Sequence, residues 1–385
     1  MLLASKNQAI ILNIFPQQYQ SMSMRLLFFF MSTLPLLAAS PLIQPGKPHS
    51  PYSPPYIEIY AHRGARGLAP ENTLPAYQRG LALGVDWVDM DLGITRDGAL
   101  IVYHDFFLNP DILRKNDVFW AYSKEDFLRQ LTDAPGGLDQ NMEPYLIKNL
   151  NVEDLGDYDA GRLNPLSPYA SLFPRQEGAD GIKIPSLEEV VTMVDTTSMK
   201  HVFFQMEIKI DPTHPSWTVS GEQFIRTLDL FLRHHQLTDR VEIQSLDWGV
   251  LEKLHELNAD LKLAFLITKE NRAKMDDPNP AEAGRWTGGH LLKDHGGSPL
   301  QMIKDLGGSC YEPQDSELTQ AQLREAHQLG LKVVVWPWPE VTHSGFDPKL
   351  INKLIDWGVD GIITDDPDKL RECLQQHGMP LPRSY

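Results

Sequence analysis

Cysteine is almost absent: Cys310 and Cys373 are the only two in 385 residues. That excludes a disulfide scaffold and a cysteine-built zinc cluster. It leaves either one bridge, permitted in an exported chain, or two buried thiols. Positive charge is also scarce. The 35 Lys and Arg are outnumbered by 51 Asp and Glu, for a formal charge of −16. Nucleic acid and anionic membrane surfaces would be repelled by such a chain, and an anionic phosphate ester would need a cation in its site. No His-x-His and no His-Glu-x-x-His occurs, which argues against a zinc hydrolase. The longest apolar run, residues 26–37, falls short of the roughly 20 residues that span a bilayer, so no stable membrane insertion is expected.

That run follows Arg25 and precedes Ala38-Ala39-Ser40, the pattern of a cleaved leader. Residues 1–39 are therefore read as a signal segment of a periplasmic or secreted protein; an uncleaved anchor helix is the alternative. Met22 or Met24 is a better-placed start than Met1. No cysteine stands at the cleavage point to carry a lipid. Residues 40–55 hold Pro41, Pro45, Pro48, Pro51, Pro54 and Pro55 and read as an extended linker.

From residue 56 to 385, short apolar runs alternate with amphipathic stretches. Strands are expected at 57–61, 87–92, 99–104, 201–208, 240–244, 261–267, 308–311, 332–336 and 361–364. Helices are expected at 73–84, 186–196, 219–235, 248–257, 317–329 and 347–357. This rhythm predicts an α/β fold with a parallel sheet covered by helices, a (β/α)8 TIM barrel. Nine candidate strands for eight places means that one of them is not a strand or that one lies outside the barrel. Residues 106–184 break the rhythm and predict a small inserted cap domain over the site.

The chemistry gathers at predicted strand ends. His62 and Arg63 end the first strand, and Gly64 allows a sharp turn; alone, such a pair is more often a hydrogen-bonded surface element. In the second strand, the period of two puts Val88, Met90 and Leu92 on one face and Asp89 and Asp91 on the other. With the apolar set against the helices, both carboxylates point inward, where unpaired charges cost several kcal/mol each. A divalent cation removes that cost; a solvated edge strand is the other explanation. Phe204, Met206 and Ile208 repeat the pattern, turning Gln205, Glu207 and Lys209 inward. Glu207 and Lys209 either pair with each other or serve as a third acidic ligand and a cation facing substrate. Three carboxylates are hard-cation chemistry, so Mg²⁺ or Ca²⁺ is expected. A turn at Arg96-Asp97-Gly98 brings His104 back to the level of Asp91, unless that histidine is structural.

These residues carry a family resemblance. The run from His62 through Arg63, Gly64 and Glu71-Asn72 to Thr73, then Asp89-Met90-Asp91, Thr95-Arg96-Asp97-Gly98 and His104-Asp105, resembles the glycerophosphodiester phosphodiesterase family. The likeness continues through Glu207-Ile208-Lys209, Gln244-Ser245-Leu246-Asp247 and Gly361-Ile362-Ile363-Thr364-Asp365. It implies a barrel that binds one divalent cation, Ca²⁺ or Mg²⁺, and hydrolyses glycerophosphodiesters to sn-glycerol 3-phosphate and an alcohol. It assigns general acid and base to His62 and His104, phosphate binding to Arg63, site organisation, with a reach to the metal or the glycerol, to Glu71, and metal ligation to Asp89, Asp91 and Glu207. The family usually has Glu at the position of Asp89, a Phe at Leu246, and Trp-Thr-Val-Asn where this chain has Trp336-Pro337-Trp338-Pro339. A lysophospholipase D or sphingomyelin-cleaving enzyme is the nearest alternative. It needs an apolar trough, for which Phe119, Trp120 and Tyr122 are candidates. A catalytically silent barrel that binds phosphodiesters is the alternative of another class. The leaving alcohol and the oligomeric state do not follow from the sequence.

Overall fold

The computed structural model describes residues 56–196, 199, 201–337 and 346–384. The expected leader and linker, and Trp338 and Pro339, lie outside the described residues. The strands are β1 (Glu58–Ala61), β2 (Trp87–Ile94), β3 (Leu100–Val102), β4 (Arg114–Lys115), β5 (Tyr158–Asp159), β6 (Phe203–Ile208), β7 (Val241–Ser245), β8 (Lys262–Ile267), β9 (Cys310–Pro313), β10 (Lys332–Val335) and β11 (Gly361–Thr364). Eight of them pair in parallel in the order β1, β11, β10, β9, β8, β7, β6, β2, and β2 returns to β1. The sheet is thus a closed (β/α)8 barrel. The ninth expected strand, 99–104, is β3. It runs antiparallel to β2 outside the barrel.

The alternation in sequence becomes two sides of one wall. Val88, Met90, Leu92, Phe204, Met206 and Ile208 pack with helix residues such as Tyr77, Val190 and Leu228 in one apolar layer. Burying each such side chain stabilises the fold by about 1.5–3 kcal/mol. The expected helices form at Leu74–Leu83, Leu187–Thr196, Gly221–His234, Trp248–Leu257, Gln320–Gln328 and Pro348–Trp357, and two further ones at Pro299–Asp305 and Pro367–Gln376. Thr73, Ser220, Asp247, Thr319 and Asp347 cap their helices by accepting backbone N–H bonds, each worth about 1 kcal/mol.

Residues 106–184 contain the small β4–β5 ladder and helices Lys124–Asp133, Gly137–Met142 and Pro168–Leu172. Their apolar side chains form two clusters. One holds Tyr103, Leu108, Leu113 and Ile147, and the other holds Phe107, Phe127, Met142 and Leu146 with Trp217. Trp120 packs against both clusters and Tyr122 is exposed, and none of Phe119, Trp120 and Tyr122 lines the cavity at the C-terminal ends of the strands. Cys310 and Cys373 are free and buried. Among the described residues no helix is long and apolar enough to cross a membrane.

Candidate active site

One cavity of about 300 Å³ opens at the C-terminal ends of the strands, and His62, Arg63, Asp89, His104, Glu207 and Lys209 all line it. Barrel enzymes carry their chemistry at this end. The first strand ends in a tight turn. Arg63 takes a left-handed backbone (φ 50°), a conformation that costs a bulky residue about 1–3 kcal/mol unless its surroundings enforce it. Here they do. The Arg63 N–H donates to Asp89 Oδ2 at 3.2 Å, and its carbonyl accepts from Asn72 N at 3.0 Å. Gly64 presses on the following helix so closely that a Cβ would come within 2.7 Å of Tyr77 N.

Asp89, Asp91 and Glu207 are neighbours on one inward face without forming a closed ligand set: their oxygens do not all come within 4.8 Å of one another, and Asp91 does not line the cavity. In the β2–β6 register Asp89 faces Gln205 and Asp91 faces Glu207. Lys209 Nζ lies 2.8 Å from Glu207 Oε1 and 3.7 Å from Asp91 Oδ1, so the Glu207–Lys209 pairing is realised. Asp89 is held at both oxygens, by the Arg63 N–H and by Gln244 Nε2. Burial pushes the Asp89 carboxyl well above its usual range, with Asp91 and Glu207 adding to it. Burial drives Glu207 up to about 7, Lys209 opposing and Asp91 adding. Asp91 goes the other way: against burial, Arg63, His104 and Lys209 hold it well below the usual carboxylate range.

Arg63 is buried between acids. Its Nη1 donates to Glu71 Oε1 at 2.6 Å. Its Nε lies 3.2 Å from Asp91 Oδ2 but off the N–H direction that a hydrogen bond needs. Glu71 also accepts from the Tyr169 hydroxyl of the insertion. Glu71 is therefore a support for Arg63 and does not line the cavity.

Both histidine rings stay reachable, at 25% and 26% side-chain exposure, where Arg63 and Asp91 are nearly closed off. Each has an aspartate at Nδ1. His62 Nδ1 lies 2.6 Å from Asp365 Oδ1, and His104 Nδ1 lies 3.5 Å from Asp105 Oδ1. An ionised carboxylate only accepts, so Asp365 fixes the proton on His62 Nδ1 and leaves Nε2 free. Burial, then Arg66, lower the His62 pKa, with Asp365 resisting. Burial, Arg63 and Lys209 take His104 down to about 4. One expectation needs correcting. In the β2–β3 ladder Leu92 faces Val102, and Tyr103 N donates to Asp91 O. Asp91 therefore stands level with Tyr103, and His104 enters the cavity one residue further on, after the strand has ended.

Asp365, Arg66 and Gln244 carry parts of the site that no role assignment from sequence had reached. The signal for Asp365 is register: Ala61 pairs with Thr364, so the next residues on the two strands, His62 and Asp365, emerge side by side. Leu246, in place of the usual Phe, lines the cavity with Phe106, Leu266, Trp286 and Trp336. Among the described residues, the one trio of His, Cys, Asp or Glu whose ligand atoms all lie within 4.8 Å of one another is Glu242, Cys310 and Glu312. It is fully buried inside the barrel, where the Gln205 amide hydrogen-bonds both glutamates, and none of the three lines the cavity.

Comparison with known proteins agrees with this geometry. The chain is 27% identical over 320 residues to a glycerophosphodiester phosphodiesterase of Bacillus subtilis, covering 82% of this chain and 86% of that one. It is 24% identical over 355 residues to a lysophospholipase D of Homo sapiens, covering 86% and 89%. Its fold matches a solved structure from Silicibacter pomeroyi at a TM-score of 0.68 and 24% identity, covering 85% and 96%. It also matches an Oleispira antarctica phosphodiesterase solved with sn-glycerol-3-phosphate, at a TM-score of 0.54 and 18% identity, covering 83% and 97%. The model of the glycerophosphoryl diester phosphodiesterase family matches residues 62–369, and the chain belongs to that family.

Proposed function

We propose that this protein hydrolyses glycerophosphodiesters to sn-glycerol 3-phosphate and an alcohol, using one divalent cation and two histidines. The observation that carries the reading is the convergence of His62, His104, Arg63, Asp89, Glu207 and Lys209 on one cavity at the C-terminal ends of the barrel strands, with Asp91 buried behind them against Arg63 and Lys209. Family membership and the activity named for the Bacillus subtilis relative support it.

The donor set suits a hard cation. Asp89, Asp91 and Glu207 offer only oxygen, and burial leaves Asp89 and Glu207 resisting ionisation, which marks negative charge that Lys209 alone does not offset. Asp91 and Glu207 would hold the ion, with Asp89 as the third ligand. Both Asp89 oxygens already accept protein donors, which makes it the weakest of the three. When bound, Mg²⁺ or Ca²⁺ supplies Lewis-acid stabilisation of phosphoryl oxygens.

The protein's own groups do the rest. Arg63 is fixed by Glu71 and binds a phosphodiester oxygen as a preorganised donor. Lys209 adds a second positive charge facing the anion. In the substrate-free site both imidazoles are neutral at pH 7. The arriving anion raises the pKa of the ring it faces, which gives one ring the proton for the leaving alkoxide while the other accepts the proton of the nucleophile. The same reading has the chain exported, with residues 1–39 as its leader.

A second reading is favoured by one feature. Phe106, Ile210, Leu246, Leu266, Trp286 and Trp336 give the cavity an apolar share of its lining, as a lysophospholipase D would require, and a human relative bears that name. Parallel turnover of glycerophosphocholine and its acylated form, with Mg²⁺ present, separates the two. Faster release from the deacylated substrate supports the first reading. No alcohol release from either leaves only a silent binding barrel.

A further inference from the structure

We propose that Tyr169, supplied by the insertion, is a positioning residue whose hydroxyl joins the phosphate-binding arm of the site to its acid–base arm; this rests on the phosphodiesterase reading above. The Tyr169 hydroxyl donates to Glu71 Oε2 and accepts from Arg66 Nη1 at 3.0 Å. On one side, Glu71 Oε1 takes Arg63 Nη1 at 2.6 Å. On the other, Arg66 Nε and Nη2 grip the two oxygens of Asp365 at 3.0 Å each, and Asp365 Oδ1 takes His62 Nδ1 at 2.6 Å. A single phenol therefore connects the side chain that would hold phosphate with one that would move a proton.

The surrounding segment is built as a clamp on the same groups. The Arg66 guanidinium stacks 4.5 Å from the Phe173 ring centroid, and Phe173 packs edge-on to Tyr169 at 5.1 Å. Gln176 Nε2 donates to the Arg66 carbonyl at 2.9 Å, and Glu177 N donates to the Leu68 carbonyl at 2.9 Å. Arg66 and Glu71 are each only 5% exposed, so water cannot freely replace a lost partner. Without the hydroxyl, Glu71 and Arg66 each lose a hydrogen bond in a closed setting, and both arms acquire freedom they do not have now. Catalytic geometry tolerates little of this: a displacement of about 1 Å costs roughly a hundredfold in rate.

The test is Tyr169→Phe in the full chain, which keeps the ring and its packing on Phe173. Steady-state kinetics on glycerophosphocholine with Mg²⁺ should show kcat lowered about ten- to a hundredfold and KM within about twofold, with a protein that still folds and melts only a few degrees lower for the two buried hydrogen bonds lost. Nitrogen-15 and proton NMR of the His62 ring, assigned with His62→Ala, should show the Nδ1 proton signal shifted or broadened. Tyr122→Phe, an exposed tyrosine of the same insertion, should change neither quantity. An unmoved His62 signal overturns the proposal whatever the rate, and so does a wild-type kcat. If the wild type releases no alcohol, the phosphodiesterase reading falls, while the His62 signal still decides whether Tyr169 positions that ring.

Discussion

Asp91 stands directly opposite Glu207 in the β2–β6 ladder, and one ammonium group, Lys209 Nζ, lies within 4 Å of both carboxylates. Asp89 lies two residues away on the same inward face, held by the Arg63 N–H, and the Arg63 guanidinium is a further positive charge beside Asp91. Adding Ca²⁺ or Mg²⁺ to chelator-treated protein should therefore raise its melting temperature. A ligand at a hundred times its Kd stabilises by about 2.7 kcal/mol. Glu207→Gln and Asp91→Asn should lose most of that rise, which scanning calorimetry with and without cation measures.

The same carboxyls fix the pH dependence of cation binding. Glu207 is raised from 4.5 to about 7, so without cation the folded protein holds a proton that the unfolded chain has already lost. This group's contribution to stability falls as pH rises from 4.5 through about 7, and cation binding must displace the proton. The cation-induced rise in melting temperature should thus be larger at pH 8 than at pH 6. An equal rise at both would show that Glu207 is no ligand.

His62→Ala and His104→Ala should each lower kcat by at least about a hundredfold while melting as the wild type does. Both rings are partly exposed at the cavity wall, so their loss removes little packing. Turnover within about twofold of wild type in either variant would reject the two-histidine scheme.

Asp365→Asn should be nearly as damaging to rate as loss of His62 itself. An amide can donate to Nδ1 and so place the imidazole proton on Nε2, the nitrogen that must be free. The expected loss in kcat is at least about a hundredfold; a wrong histidine tautomer costs about 10⁴-fold in a Ser-His-Asp triad. Kinetics on the variant, compared with Asp366→Asn at the neighbouring buried carboxylate that pairs with Arg175, separates this effect from a general weakening of the loop.

Much of this architecture was legible because periodicity reports directly on burial. Val88, Met90 and Leu92 alternate with Asp89 and Asp91, and a barrel strand has only two sides on which to sort them. Strand pairing across the hairpin was less legible. The turn placed β3, but a ladder one residue out of step exchanges which side chain stands level with Asp91, and the sequence carries no marker for that step. Helix Pro367–Gln376 escaped the pattern because Leu370, Cys373 and Leu374 form a narrow stripe in an otherwise polar segment. Tyr169 was out of reach for another reason. It lies in an aperiodic insertion 98 residues from Glu71, and only the folded chain brings the two together. The ligand geometry is intermediate: spacing turned Asp91 and Glu207 inward, while the register that sets them opposite each other and the reach of Lys209 to both depend on pairing and rotamers that no spacing specifies.

The most direct measurement of the central claim is release of sn-glycerol 3-phosphate from glycerophosphocholine by the full chain, stripped with chelator and then resupplied with Mg²⁺ or Ca²⁺. The account predicts no release after stripping, recovery on adding cation, and no recovery in Glu207→Gln. Undiminished release in excess chelator, or full recovery in Glu207→Gln, would contradict it.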